Sequence, residues 1–184
     1  MNADERKSRS KFLSYVLRHN PGSVGISLDR AGWANVDELL RAAAEAGHPL
    51  ALDELQEVVT TNAKQRFSFN DDATHIRANQ GHSVDVQLGL TPCSPPELLY
   101  HGTPLKFVDA IREQGLLKMS RHAVHLSADP ATAAEVGRRR GEAVVLIVAA
   151  GQMHADAVEF HVSDNGVWLV DHVPPSYIEF PKDR

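Results

Sequence analysis

The stretch Leu99-Tyr100-His101-Gly102-Thr103 places an imidazole, an approachable backbone and a hydroxyl at the end of an apolar run. At a strand end these groups suit a small polar ligand, although the same trio serves ordinary loops. Val124-His125-Leu126-Ser127 repeats the pairing of histidine and hydroxyl. Arg18-His19 closes an amphipathic run just before Asn20-Pro21-Gly22. There the two side chains either cap a helix end, where the dipole favours cations, or meet a bound anion with two forward-pointing donors. The triplet Arg138-Arg139-Arg140 between Gly137 and Gly141 has the same two readings. If the two halves of the chain pack face to face, Arg18, Arg66 and one arginine of the triplet form a set suited to a dianionic phosphate. Guanidinium forks match phosphate oxygens in pairs.

The whole chain narrows the classes of function. Its 184 residues carry a net charge of −5 and are 42% hydrophobic and 23% charged. That is the composition of a globular protein with a core of its own, and it excludes a generally basic nucleic-acid coat. Binding of a polyanion therefore requires a local cluster. The single cysteine, Cys93, cannot form an internal disulfide, so nothing points to secretion. The start, Met1-Asn2-Ala3-Asp4-Glu5-Arg6-Lys7, lacks the apolar core of a signal peptide. No apolar run approaches the roughly 18 residues of a membrane span. The expectation is a cytoplasmic protein without membrane contact. The ten histidines are scattered, and none has metal-ligand spacing, so no metal is expected.

The elements that must position these residues fall into two halves. Residues 8–17 carry Phe12, Leu13, Val16 and Leu17 at one-face helical spacing, and Pro21 should stop that helix near His19. A second helix is expected to open across residues 32–40, with Asn35 as N-cap and Glu38 three positions on. A third should be capped by Asp53, with Leu55, Val58 and Val59 on its apolar side. Arg66-Phe67-Ser68-Phe69 and His75-Ile76-Arg77-Ala78 then signal a hairpin. Three helices and a hairpin outline a winged helix-turn-helix module. Its recognition helix, near Asp53-Glu54, is acidic and would repel duplex phosphate. Positive charge lies instead at Arg18, Lys64, Arg66 and Arg77. The run Arg77-Ala78-Asn79-Gln80-Gly81-His82-Ser83 is either a plain linker or a set of side-chain donors.

The second half is expected to be strand-rich, with two short helices near its start. One helix spans residues 106–114 and ends at Gly115. The other opens with Asp129 as N-cap and Pro130 at its first position. Residues 143–149 form a fully apolar run that reads as a buried strand. Asn165-Gly166 marks a tight turn between two further strands. The division between halves falls at residues 91/92, in a Pro-rich break.

Together these segments resemble the RNA 2′-phosphotransferases of the Tpt1/KptA family across nearly the whole chain. The resemblance rests on seven motifs in order: Ser14-Tyr15-Val16-Leu17-Arg18-His19, Lys64-Gln65-Arg66-Phe67, Ile76-Arg77-Ala78-Asn79-Gln80-Gly81-His82-Ser83, Tyr100-His101-Gly102-Thr103, Val124-His125-Leu126-Ser127, Gly137-Arg138-Arg139-Arg140-Gly141 and Asn165-Gly166-Val167-Trp168-Leu169. It implies an α+β chain with a winged-helix-like lobe over 1–91 that binds RNA phosphate. An ADP-ribosyltransferase-like, β-rich lobe over 92–184 would bind NAD, with the active site in the cleft between them.

The implied activity is that of a transferase acting on an internal RNA 2′-phosphate, as left at a tRNA splice junction. NAD⁺ is consumed as co-substrate, and no metal takes part. The phosphate attacks the nicotinamide ribose and nicotinamide leaves. The resulting 2′-phospho-ADP-ribosylated RNA then gives 2′-hydroxyl RNA and ADP-ribose 1″,2″-cyclic phosphate. The implied catalytic set is Arg18, His19, Arg66 and Arg139. The family pattern at the triplet is Gly-x-Arg-His-Gly, so Arg140 stands in place of a histidine, and a slip of one leaves Arg138 as the alternative. His101, Gly102, Thr103, His125 and Ser127 are the implied NAD contacts. Arg77, Asn79, Gln80, Gly81, His82 and Ser83 are assigned to substrate or hinge. A monomer is expected. Two other readings stay open: ADP-ribosylation of terminal phosphates on RNA or DNA, and a winged-helix DNA-binding regulator.

Overall fold

The computed structural model describes residues 1–139 and 141–181; Arg140 and residues 182–184 lie outside the described residues. The chain divides into two compact units, Met1–Gly89 and Leu90–Arg184.

In the first unit, helix α1 (Ala3–Arg18) begins well before the expected start. Asn2 makes this possible. Its side chain accepts the Glu5 amide at 2.9 Å while the Glu5 carboxylate accepts the Asn2 amide at 2.8 Å, a reciprocal cap. The helix stops at His19, whose amide still bonds the Tyr15 carbonyl at 3.0 Å. Residues 33–35, expected at a helix start, form strand β1 (Trp33–Asn35) instead. Asn35 then caps α2 (Val36–Glu45), accepting the Glu38 amide at 3.0 Å. Helix α3 (Leu52–Thr60) starts two residues earlier than Asp53 as cap would set it. Its N-cap is Ala51, whose amide donates to the Glu54 carboxylate at 3.0 Å. Strands β2 (Phe67–Phe69) and β3 (His75–Ala78) form the hairpin, and β1 pairs antiparallel with β3 on its other side. The fully buried side chains of Leu13, Val16, Leu17, Leu39, Leu55 and Ile76 close one core.

In the second unit, β4 (Leu99–Pro104) leads through a 3₁₀ turn (Leu105–Phe107) into α4 (Val108–Gln114), which Gly115 terminates with a φ of 77°. The short β5 (Leu116–Leu117) and β6 (Val124–Leu126) precede α5 (Pro130–Arg138). Asp129 caps α5, accepting the Thr132 amide at 2.7 Å. Strand β7 (Ala143–Val148) follows. It is not buried throughout: Leu146 and Val148 are enclosed, with half-buried Val144 packed beside them, while the alternate residues 143, 145 and 147 are half-buried on the other face. Helix α6 (Ala150–Ala155) is a third helix that sequence reading missed. It is short, and only Ala150 and Met153 face inward, too few to register as a helical period.

The unit ends with β8 (His161–Val162), β9 (Trp168–Val170), β10 (His172–Val173) and β11 (Ile178–Glu179). The sheets run β11-β7-β4, β6-β9-β8 and β10-β5, all antiparallel. A bridge between Tyr100 and Ser127 ties β4 to the end of β6. Separate helices and antiparallel sheets make the chain α+β. Among the described residues no helix is long and apolar enough to cross a membrane.

Candidate functional site

The sequence-predicted residues gather in two places, one in each unit. In the first unit the gathering point is the C-terminal end of α1. Arg18 is its last residue, and its carbonyl accepts from the amides of Ser83 and Val84 at 2.9 and 3.4 Å. The chain leaving β3 is thereby folded back onto the helix end. Gly81 allows the turn with a φ of 86°, a conformation that favours glycine. The Arg18 guanidinium lies across Gly81 and over the Phe67 ring, 6.0 Å from its centroid. Its Nη2 donates to the Arg66 carbonyl at 3.4 Å. The imidazole of His19 is exposed and meets Ser83 Oγ through Nδ1 at 2.9 Å.

Arg66 is braced from the helix side. Its Nη1 donates to Asn62 Oδ1 at 3.3 Å and Ser10 Oγ at 3.4 Å. Asn79 fixes the backbone before it. The Asn79 side chain donates to the Gln65 carbonyl at 2.7 Å, and its amide donates to the Arg66 carbonyl at 2.9 Å. Gln65 itself has a φ of 40°, so Asn79 holds a turn that few residues adopt. Arg18, His19, Arg66, Asn79, Gly81 and Ser83 thus form one constellation rich in donors.

Two members of the same run lie elsewhere. Arg77 stacks on Trp33 at 4.6 Å and donates to the Leu88 carbonyl at 3.4 Å. His82 is 2% exposed and packs against Gly32. Both make these contacts within their own unit. Gln80 is half-buried.

In the second unit a cavity of about 580 Å³ opens beside β4, α4, β6 and α5. His101, Gly102, Thr103, His125 and Arg139 line it; Ser127 and Arg138 do not. The Ser127 hydroxyl is used locally, donating to the Asp129 carbonyl at 2.9 Å and accepting the Asp129 amide at 3.1 Å. It shapes the entry to α5. Gly102 is required by packing: a Cβ there would lie 2.6 Å from the Ala133 carbonyl carbon and 3.0 Å from the Gly137 amide. Gly137 answers it from α5, where a Cβ would lie 3.0 Å from Gly102 and Thr103. The pair lets helix and strand touch backbone to backbone, and this carries Val136, Gly137 and Arg139 into the cavity wall.

The two cavity histidines are in opposite tautomers when neutral. His101 Nδ1 donates to the His125 carbonyl at 3.0 Å, leaving Nε2 as acceptor. Burial holds its pKa below the usual histidine range, outweighing that hydrogen bond, and the nearby Arg121 charge pushes the same way. His125 Nδ1 accepts from Arg121 Nη1 at 3.1 Å, which makes its Nε2 the donor. Sequence reading missed Arg121 and Lys118, both on the cavity wall. The polar run Lys118-Met119-Ser120-Arg121 between two apolar strands was the available signal. Among the described residues the wall carries no carboxylate. Nor do those residues contain a group of three or more His, Cys, Asp or Glu that could hold a metal.

Apolar side chains, three basic residues and complementary imidazoles make this cavity suitable for an anionic ligand with a flat apolar part. The end of α1 suits a phosphate. Comparison with known proteins gives these features a context. Residues 4–172 match the family model described as RNA 2′-phosphotransferase, Tpt1/KptA family. A protein of Burkholderia pseudomallei is 58% identical over 172 residues, covering 94% of both chains. One of Rhodopirellula baltica is 54% identical, over 98% of this chain and 100% of its own. One of Flavobacterium johnsoniae is 51% identical, over 98% and 99%. Each carries the name "Probable RNA 2′-phosphotransferase". On this coverage the chain belongs to the RNA 2′-phosphotransferase, Tpt1/KptA family.

Proposed function

We propose that the protein is an NAD⁺-dependent RNA 2′-phosphotransferase, acting in the cytoplasm on an internal 2′-phosphate such as that of a spliced tRNA-like RNA. The observation that supports this best is the gathering of Arg18, His19 and Arg66 at one helix end. In this reading the first unit is a winged-helix-like phosphate-binding lobe, and the second is an ADP-ribosyltransferase-like lobe. Three helices with the hairpin β2–β3 support the former, and the basic cavity of the latter fits a dinucleotide. Its volume lies within the range of small-molecule sites. Lys118, Arg121 and Arg139 supply positive charge for a diphosphate. His101, Thr103 and His125 offer an acceptor, a hydroxyl and a donor for ribose and amide groups.

As co-substrate, NAD⁺ supplies the ribose carbon that receives the phosphate and the adjacent hydroxyl that closes the cyclic product. The residues of the chain carry out the rest. A phosphate is already nucleophilic near neutrality, so the first step needs no base, and the cavity needs no carboxylate. In the second step charge builds on the phosphoryl oxygens, where fixed guanidinium donors stabilise it. Arg18 and Arg66 hold their positions through the bracing described above. Arg139, on the cavity wall of the second unit, would supply a further guanidinium donor. The RNA 2′-oxygen that leaves needs a proton, and His19 is the residue whose chemistry suits that donation near pH 7.

The test is incubation with NAD⁺ and oligonucleotides carrying either an internal 2′-phosphate or a 5′-phosphate. Release of ADP-ribose cyclic phosphate from the 2′-phosphate substrate is the expected result. Persistence of the 2′-phosphate at high enzyme would overturn the proposal, and exclusive capping of the 5′-phosphate would replace it.

A further inference from the structure

We propose that Ser83 is a positioning residue for this reaction: its hydroxyl holds Nδ1 of His19, so the imidazole exchanges protons with substrate through Nε2. The inference rests on the reading of His19 as the proton donor. His19 is exposed at a helix end, and only its backbone amide is fixed by the helix. An imidazole in that place would turn about both side-chain torsions unless something held the ring. Ser83 is well placed to hold it. Its own amide is anchored on the Arg18 carbonyl at 2.9 Å, which fixes the backbone that carries Oγ. From there Oγ lies 2.9 Å from His19 Nδ1.

The chemical type of the partner matters as much as the distance. A carbonyl oxygen accepts only, and it locks a histidine with Nδ1 protonated, as the His125 carbonyl does for His101. A hydroxyl both donates and accepts. Ser83 accepts from Nδ1–H both while the ring is doubly protonated and after Nε2–H has passed its proton to the leaving oxygen, and it can donate to the Nδ1 lone pair whenever the neutral ring carries its proton on Nε2. The contact therefore survives both halves of a catalytic cycle without reorientation. A carboxylate there would instead stabilise the charged ring and oppose proton release.

The test compares Ser83→Ala and Ser83→Thr with the wild type in two measurements. Long-range proton–nitrogen spectra of the His19 ring report its tautomer ratio and titration. Turnover of a 2′-phosphorylated oligonucleotide with NAD⁺ reports kcat, KM and their pH profiles. Loss of the contact in Ser83→Ala should lower kcat about 10-fold or more, leave KM for NAD⁺ unchanged and displace the acid-side limb of the kcat profile. The His19 tautomer ratio should move with it, and Ser83→Thr should restore both. An alanine variant with wild-type kcat and an unchanged tautomer ratio would overturn the proposal, as would a threonine variant as slow as alanine. The spectra require no substrate. A wild type inactive on 2′-phosphorylated RNA would sink the proposed function while the His19 spectra still decided the Ser83 contact.

Discussion

Replacing Gly102 by alanine tests the reasoning about the second unit most directly. The new methyl would lie 2.6 Å from the Ala133 carbonyl carbon and 3.0 Å from the Gly137 amide, whereas ordinary contact begins near 3.4 Å. Both neighbours are backbone, so no side chain can swing aside. Helix α5 must move outward by roughly 1 Å or more to readmit a van der Waals fit. Overpacking of this kind costs about 1–3 kcal/mol. With no flexible neighbour the upper end applies, a fall in melting temperature of roughly 6 °C or more for a chain of this size.

The same movement carries Val136, Gly137 and Arg139 away from the cavity wall. A displacement near 1 Å at a reacting group costs on the order of 10²-fold in rate. The assay pairs a thermal melt with NAD⁺-dependent release of the 2′-phosphate. Gly25→Ala is the control: its φ of 80° is strained for alanine, but nothing lies within 4 Å of the added carbon. It should lose about 1–2 kcal/mol and keep its activity. A Gly102→Ala protein that melts like the wild type and turns over normally would refute the backbone-to-backbone contact.

Arg139 lines the cavity and Arg138 does not, so the two alanine variants should differ. Arg139→Ala should slow turnover by about 10²–10³-fold and let the ADP-ribosylated RNA accumulate, with Arg138→Ala near wild type; equal losses would refute the assignment. His101 has a folded pKa below its unfolded value near 6.5. As pH falls below 6.5 the unfolded chain takes up a proton that the folded one refuses, so stability declines from there down to the folded value. Chemical denaturation of His101→Gln between pH 7 and pH 5 should show a shallower decline than the wild type, and parallel curves would refute the shift. Asn79→Ala removes the donor to the Gln65 carbonyl. It should cost about 1–3 kcal/mol and reduce turnover more than NAD⁺ affinity; unchanged turnover would show that Arg66 does not depend on Asn79.

Local rules written into short segments were legible. Asn35 and Asp129 cap their helices because a side-chain oxygen one residue outside the first turn meets an amide whatever lies further away. Hairpin and turn signals at Asn70-Asp71-Asp72 and Asn165-Gly166 have the same local character. The misreadings share a cause. Strand β1 exists because β3 offers it a partner, and α6 is too short to show its period. Ala51 rather than Asp53 caps α3 because Glu54 reaches back to the Ala51 amide. Site residues followed the same division. Motifs single out Arg18, His19 and Arg66, and the structure gathers them at one helix end. What holds them was not readable, since Ser83 and Asn79 act across long stretches of chain. Gly102 lines the cavity and also makes room for α5, a packing demand that the sequence alone does not show. The Ser127 hydroxyl is engaged with Asp129 at the entry to α5, a local contact equally invisible from spacing.

The main-chain tie between Arg18 and the residues after β3 has a consequence for how the molecule is made. The two amides that seat the Arg18 carbonyl belong to Ser83 and Val84, whereas the core of the first unit is complete with β3 at Ala78. A growing chain that has just released β3 can already bury Leu13, Leu39 and Ile76, yet the end of α1 is still untethered. The groups gathered at that helix end come into register only when a few more residues have been synthesised. Closing that short loop is an entropic step, and it comes after the core that makes it worthwhile. Folding and assembly of the α1-end constellation are therefore separable events, divided by a handful of residues between Ala78 and Val84.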